Sequence, residues 1–325
     1  MASVSLPDGA SVTRTREYMA KLVPDFLVTP ADKPAVSHVF AISGFDLIGG
    51  GEKTNSGTMF LPLKDWSVRD KSADELSRVF SGVGMKYPQG MCMVFNPPPI
   101  RGIGTAGGFE FYLQARDDDS IAKLGQVTEK LLAELRKNPE LTGINSFFRT
   151  NVPQYLTEVD QVRAASLGIS LSDIYDALQA TIGSVYVNDF NRSGRTYRVL
   201  MQAESDKRMA PEDIAHVHVR AKDGTMVPLS TLVKIKSTSG AEQLDRYKGF
   251  LSSRVIGSAA PGVSSSHALD VVEQIAEATL PEGYELDWTA QAYQEKRTAS
   301  SAVPAFAMAL LMLSLIHISE PTRPY

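Results

Sequence analysis

Cysteine is all but missing from this chain, and the one present, Cys92, sits in the apolar string Met91-Cys92-Met93-Val94-Phe95. A single thiol leaves no disulfide framework and no thiolate metal cage within the chain, so Cys92 reads as a small buried hydrophobe. Positive charge is not in excess either. The chain has 33 Lys and Arg against 37 Asp and Glu, a net charge of -4 that argues against nucleic acid as a partner. Residues 1–9 have neither the basic nor the apolar region of a secretory signal, so nothing in them is expected to export the chain. A full membrane-length run is also lacking: residues 302–313 hold only about a dozen apolar side chains where a span takes roughly 20. Residues 293–312 are therefore expected to be the start of a truncated transmembrane helix, cut off mid-helix. The string Leu313-Ser-Leu-Ile-His-Ile-Ser-Glu-Pro-Thr-Arg323 is similar to the translated read-through of a transposase-type sequencing adapter, so 313–325 is set apart from the fold as a scar.

What is present is material for two or three ordinary cores, with 43% hydrophobic and 22% charged residues over 325 positions. Hydrophobic period gives an extended start over 2–6, a helix over 11–23, a strand over 37–42, a glycine-rich loop, a strand over 57–63, a helix over 73–85 and a strand over 91–95. That order is βαββαβ. Ser11 is placed to cap the first helix after the turn residues Pro7-Asp8-Gly9, and Pro97-Pro98-Pro99 ends the unit. A second unit opens with a strand over 109–115, a helix over 120–137 and a strand near 143–148. It resumes far downstream with a strand over 252–257, a helix over 264–278 and a strand over 284–288. Between its halves, roughly 155–245, the chain reads as an inserted domain with a helix at 171–178 and short strands broken by turns such as Asp223-Gly224. The strings Leu6-Pro7-Asp8-Gly9-Ala10-Ser11 and Ala260-Pro261-Gly262-Val263-Ser264 precede a helix in each unit, which suggests duplicated βαβ parts.

Several motifs invite chemistry and fail on context. Gly102-Ile-Gly104-Thr-Ala-Gly107 satisfies G-x-G-x-x-G, the alternative reading being a nucleotide-dependent enzyme using this loop. The fingerprint needs a strand before it and a helix after it, whereas prolines precede and the alternating Phe109-Glu-Phe-Tyr-Leu113 follows. Gly49-Gly-Gly-Glu52-Lys53-Thr54 approaches a phosphate loop, but Glu52 stands where glycine must wrap the phosphate. His216 and His218 alternate along what reads as a strand and lack a third metal ligand, so they read as surface histidines. No arrangement of nucleophile and base stands out, and neither a cofactor nor a catalytic residue is expected. The informative segment is Phe40-Ala-Ile42-Ser-Gly44-Phe45-Asp46-Leu47-Ile48-Gly49-Gly50-Gly51, with Phe60 on the next strand. Glycines cost entropy to order, so this loop is expected to be mobile, and mobile loops carrying aromatics suit varied apolar ligands; the bland alternative is a hairpin tip folded back on the core.

These strings, together with Leu63-Lys64-Asp65-Trp66, Phe95-Asn96-x-Pro98, Leu167-Gly168-Ile169-Ser170, Tyr186-Val187-Asn188-Asp189-Phe190, Asp223-Gly224-x-Met226-Val227-Pro228, Ala259-Ala260-Pro261-Gly262 and Tyr293-Gln294-Glu295, occur in the order found in a known family. The chain resembles resistance-nodulation-division multidrug efflux transporters of the hydrophobe/amphiphile type, over nearly all of residues 2–311. The resemblance implies an α+β fold: two ferredoxin-like βαββαβ porter subdomains, with a mixed α/β docking subdomain inserted in the second. Residues 1–104 would form the first porter subdomain, 105–150 and 246–292 the second, and 151–245 the docking subdomain. It implies a deep pocket of Phe40, Ile42, Phe45, Leu47 and Phe60, and a switch loop of Gly44, Phe45, Asp46, Leu47, Ile48, Gly49, Gly50 and Gly51. It implies an access pocket at Met93, Phe95, Pro97, Ile103, Asn145 and Arg254. Leu47 and Ser3 stand where well-studied members carry Phe and Met, Asn145 replaces a cationic residue and Arg254 an acidic one, so stacking and charge preference are expected to differ. The implied setting is the periplasmic side of the bacterial inner membrane, in a homotrimer that meets an adaptor protein and an outer-membrane channel. There the pump would export amphiphilic drugs, dyes and detergents by proton antiport, through intramembrane carboxylates that this chain does not contain.

Overall fold

Alternation of apolar residues with serine opens the first sheet. The computed structural model describes residues 1–98, 104, 107–117 and 119–319. In β1 (Ala2–Ser5), Ala2 and Val4 face a buried layer. The chain then turns at Gly9, whose φ of +84° is the left-handed region that glycine enters without strain, and Ser11 accepts from Arg14 N to cap α1 (Val12–Val28). The elements β2 (Phe40–Phe45), β3 (Glu52–Phe60), α2 (Ala73–Met85) and β4 (Met91–Val94) follow, giving an antiparallel sheet in the order β2-β3-β1-β4. Both helices lie on one face, where Met19, Leu22, Phe26, Leu76 and Phe80 close over Val4 and Met59. A reciprocal capping box between Ser72 and Glu75 fixes the start of α2.

Helix α1 outlasts the expected stop at residue 23 and runs through Pro24 to Val28. Proline removes one backbone donor there, but Phe26 is fully buried and meets Phe80 edge-on at 5.7 Å, so packing holds the last turn. The glycine-rich segment also differs from expectation: β3 begins at Glu52 rather than 57, and pairs back to Phe45.

The second sandwich begins with β5 (Phe109–Ala115), α3 (Ile121–Lys137) and β6 (Leu141–Ser146). The next stretch forms a separate compact unit, Pro153–Ser239. It contains β7 (Val152–Val159), α4 (Gln161–Ser166), α5 (Leu171–Thr181), β8 (Val185–Arg192), β9 (Arg195–Met201), β10 (His218–Arg220), β11 (Met226–Pro228) and β12 (Val233–Gly240). Strand β7 pairs with β12, β8 with β9 and β10 with β11, around a core that includes Ile174, Leu229 and Leu232. The six-residue α4 is too short to declare itself by period. His216 closes a 3-10 turn while His218 opens β10, so the two do not share a strand as their spacing suggested.

The chain then completes the second sandwich with β13 (Asp245–Tyr247), β14 (Phe250–Ala259), α6 (Ser265–Thr279) and β15 (Tyr284–Thr289), followed by α7 (Ala290–Ser319). Its sheet runs β13-β14-β5-β15, with β6 also on β14. The four strands β15-β5-β14-β6 thus repeat the order and antiparallel sense of the first sheet. Phe111, Leu113, Leu131, Val255, Val272 and Trp288 fill the core beneath α3 and α6. The matched Pro-Gly corners are the same device: Ala10 N bonds Pro7 O at 3.1 Å, Val263 N bonds Ala260 O at 3.0 Å, and Gly9 and Gly262 take φ of +84° and +87°. The fold is therefore α+β, with two ferredoxin-like subdomains and a mixed α/β unit inserted in the second. Helix α7 continues through 313–319, the start of the segment set apart on sequence. Among the described residues no helix is long and apolar enough to cross a membrane.

Candidate ligand-binding cleft

Residues directly opposite in a sheet share a face, and the first sheet has only one face covered by helices. Ser3 lies between Thr58 and Met93, Ile42 lies opposite Thr58, and Phe40 opposite Phe60. The face turned away from α1 and α2 therefore carries Phe40, Ile42, Phe60, Thr58, Ser3 and Met93. Phe40 is 58% exposed, and its ring centroid is 6.0 Å from that of Phe60.

Phe45 and Leu47 reach the same face by a route the sequence did not show. The segment 44–51 is a hairpin tip closed by hydrogen bonds of its own. Asp46 N donates to Gly51 O, and Gly50 N to Asp46 O, both at 3.0 Å. Asp46 Oδ1 accepts from Ile48 N at 3.1 Å and Gly49 N at 2.8 Å, while Ile48 is fully buried. Gly50 and Gly51 take φ of +85° and +90°, so their freedom is spent on this one turn. The entropy that argued for mobility is offset by these bonds and by burial of Ile48. Thr58 Oγ1 donates to Phe45 O at 3.0 Å and accepts from Leu47 N at 3.2 Å, which folds the tip back over the open face. Phe40, Ile42 and Phe60 are thus neighbours on one surface, with Phe45 and Leu47 tied to it through Thr58.

A cleft of about 930 Å³ lies elsewhere in the same compact unit, between the free edge of β4 and the far end of β14. One wall carries Met85, Met91, Met93 and Phe95, and the other Ile256, Ala259 and Pro261. Asp74, Ser77, Arg78 and Asn96 add polar groups, and much of the remaining wall is main chain at Gly84, Gly90, Gly107, Gly108, Gly143 and Gly257. Of the expected access residues, Met93, Phe95 and Pro97 line the cleft. Asn145 does not, but its Nδ2 donates to Met93 Sδ at 3.5 Å and so touches the lining from behind. Ile103 lies outside the described residues.

Arg254 is placed on the uncovered face of the second sheet, opposite Tyr112. Its Nη1 is 3.9 Å from Glu110 Oε1, and both side chains are largely buried. Burial pushes the Glu110 carboxyl above the usual range, and the Arg254 guanidinium opposes that rise. Among the described residues Arg254 Nε has no hydrogen-bond partner. Sequence reasoning missed Met85 and Ile256; Met85 ends the amphipathic α2 and Ile256 alternates with the buried Val255, yet period alone does not say that a cleft lies beside them.

Other candidates stay unsupported. Gly102 and residues 105–106 of the G-x-G-x-x-G string lie outside the described residues, Gly107 N bonds Asn96 O at 2.9 Å, and strand β5 follows where a dinucleotide loop needs a helix. Among the described residues no group of three or more His, Cys, Asp or Glu is arranged to hold a metal. Cys92 lies on the helix-covered face of β4, against Gly84, and burial pushes its thiol up to about 12.

The model of the AcrB/AcrD/AcrF family matches residues 1–318. The toluene efflux pump membrane transporter TtgB of Pseudomonas putida is 34% identical over 316 residues, which is 97% of this chain and 30% of that protein. The multidrug export protein AcrF of Escherichia coli is 33% identical over 319 residues, again 97% of this chain and 30% of the relative. The multidrug resistance protein MdtF of the same organism is 31% identical over 319 residues with the same coverage. The chain spans about 30% of the length of these curated relatives.

Proposed function

Because the chain belongs to the AcrB/AcrD/AcrF family of resistance-nodulation-division transporters, we propose that it is the drug-binding porter part of an inner-membrane, proton-driven multidrug efflux pump. The observation that carries the reading is the open cleft of about 930 Å³ between two ferredoxin-like sandwiches, walled by Met85, Met91, Met93, Phe95 and Ile256 with a few polar groups. That mixture suits amphiphiles. Methionine side chains are flexible and polarisable and fit many apolar shapes, and peptide groups at the glycines offer donors and acceptors that favour no single ligand.

In this reading the amphiphile enters beside Met93 and Phe95 at the access side, with Ile103, Asn145 and Arg254 as further access residues. It passes on to Phe40, Ile42, Phe45, Leu47 and Phe60, with the Gly44–Gly51 hairpin tip between the two regions. Each sandwich has its own buried core, so the cleft widens and narrows by movement of one against the other without unfolding either. Proton flow through the membrane part of the pump supplies the energy. The unit Pro153–Ser239 is the docking part, which in the homotrimer meets a periplasmic adaptor and an outer-membrane channel. Its β8–β9 hairpin leaves Tyr186, Phe190, Tyr197 and Leu200 exposed, with Phe190 stacked on Tyr197 at 5.3 Å, and exposed apolar groups of this kind suit a protein contact.

The test is titration of the chain with an environment-sensitive apolar dye. Saturable binding is expected, weakened about tenfold by Phe95→Ala through loss of the aromatic face. Phe45→Ala probes the hairpin surface in the same way. Unchanged affinity in both variants, or saturable micromolar binding of NAD or ATP instead of the dye, overturns the reading.

A further inference from the structure

The tip of the β2–β3 hairpin is flanked by a charge cluster around Lys53, to which the ligand reading gives no role. The Lys53 side chain is 9% exposed, and its Nζ lies 3.8 Å from Asp46 Oδ2 and 3.4 Å from Glu242 Oε2. Asp46 is itself buried, at 4%, while Glu242 is 34% exposed. An ammonium so enclosed is costly unless carboxylates oppose it, and a carboxylate as enclosed as Asp46 needs a cation for the same reason.

The two acids come from different stretches of chain. Asp46 opens the tip turn and holds the amides of Ile48 and Gly49 with its other oxygen. A Cβ on Gly49 would collide with Asp46 Oδ2, so the turn is closed tightly around this carboxylate. Glu242 lies two residues after β12, in the connection to β13. The next residue, Gln243, brings its amide nitrogen within 4.0 Å of where a Cβ on Gly50 would stand, a second approach of that connection to the tip.

We propose that Lys53 is a positioning residue that locks the hairpin tip to the β12–β13 connection. Its ammonium neutralises the carboxylate on which the tip turn is built and is held by a second carboxylate on another part of the chain. Both separations exceed hydrogen-bond length, so the attraction is Coulombic and depends on charge more than on exact geometry. The lock stands on this geometry alone; that it also sets where Phe45 and Leu47 are presented to a ligand rests on the function proposed above.

Native-state hydrogen exchange on the full chain tests it, comparing the amides of Ile48, Gly49 and Gly50 with those of the β1–β3 ladder. Lys53→Met is expected to speed tip exchange about tenfold or more with the ladder unchanged, because it leaves the Asp46 charge buried and unpaired. Glu242→Gln, at a partly exposed site that folding tolerates, is expected to act in the same direction and less. Raising salt to about 1 M should speed the unaltered chain's tip toward the Glu242→Gln rate and change that variant little. Unchanged tip rates in Glu242→Gln and Lys53→Met, or equal acceleration of tip and ladder, overturn the proposal. Dye affinity is read separately, so loss of the binding result leaves the exchange result standing, and the reverse.

Discussion

Adding one methyl group at Gly257 should destabilise the second sandwich and distort one wall of the cleft. Gly257 sits opposite Phe109, with its missing side chain aimed at the core. A Cβ there would meet Ile144 Cδ1, and would lie 2.6 Å from Phe109 Cζ and 2.7 Å from Phe109 Cε2. The Phe109 ring has little room to retreat, because Trp288 meets it edge-on at 6.0 Å and Phe111 stacks at 6.5 Å. Overpacking of this kind costs about 1–3 kcal/mol. With a urea m-value of about 2 kcal/mol/M, a cost of about 2 kcal/mol lowers the unfolding midpoint by about 1 M. The two tryptophans lie in different sandwiches, so a Trp66→Phe background lets Trp288 fluorescence follow this core alone. Ile144→Val removes the Cδ1 atom that the new methyl meets, and by itself costs about 0.5–1.5 kcal/mol. The double variant should therefore be more stable than the two single costs predict. An unchanged midpoint in Gly257→Ala, or strict additivity in the pair, would refute the steric reasoning.

Two further predictions follow from titration. Glu110 has a folded pKa raised by burial, so its favourable contribution is complete below the ordinary glutamate range and is lost as pH rises through the raised value. The stability of Glu110→Gln relative to the unaltered chain should thus increase with pH across that window and level off above it; a flat or falling difference in urea midpoints contradicts the assignment. Cys92, with its thiol pushed up to about 12, should resist iodoacetamide at pH 8 in the folded chain and react readily once urea is added. Rapid labelling of the native chain would show that β4 opens at this position.

The outline of the fold was legible because its signals are local. The helices 73–85 and 121–137 show a clean 3.6 period behind Ser72 and Ser120 caps, and β5 carries the alternating string Phe109-Glu-Phe-Tyr-Leu113. What escaped was decided by contacts distant in sequence. Pro24 looks like a helix stop unless one knows that Phe26 is anchored by Phe80. The closure of the tip 46–50 is hidden in the same way, since Asp46 satisfies its amides and Thr58 draws it back over the sheet. The candidate site divides in the same way. Alternation puts Phe40 and Ile42 on one face of a strand, whereas their grouping with Phe60 came from the family resemblance, and the register that brings Phe60 opposite Phe40 appears only in the strand pairing. The cleft joins residue 93 to residue 256, and the pairing of Arg254 with Glu110 spans 144 positions, neither of which any period encodes.

Strand β14 has a mechanical consequence. Its first residues pair with β13 and its last with β6, while β5 runs along its other edge. Ten extended residues reach about 30 Å with little slack to yield, the one irregularity in the pairing with β6 being the register shift between Ile256 and Ser258. A tug on Asp245–Tyr247 is therefore delivered, as through a tie rod, to Ile256–Ala259, and the hydrogen-bonded rows on both edges keep the rod from buckling.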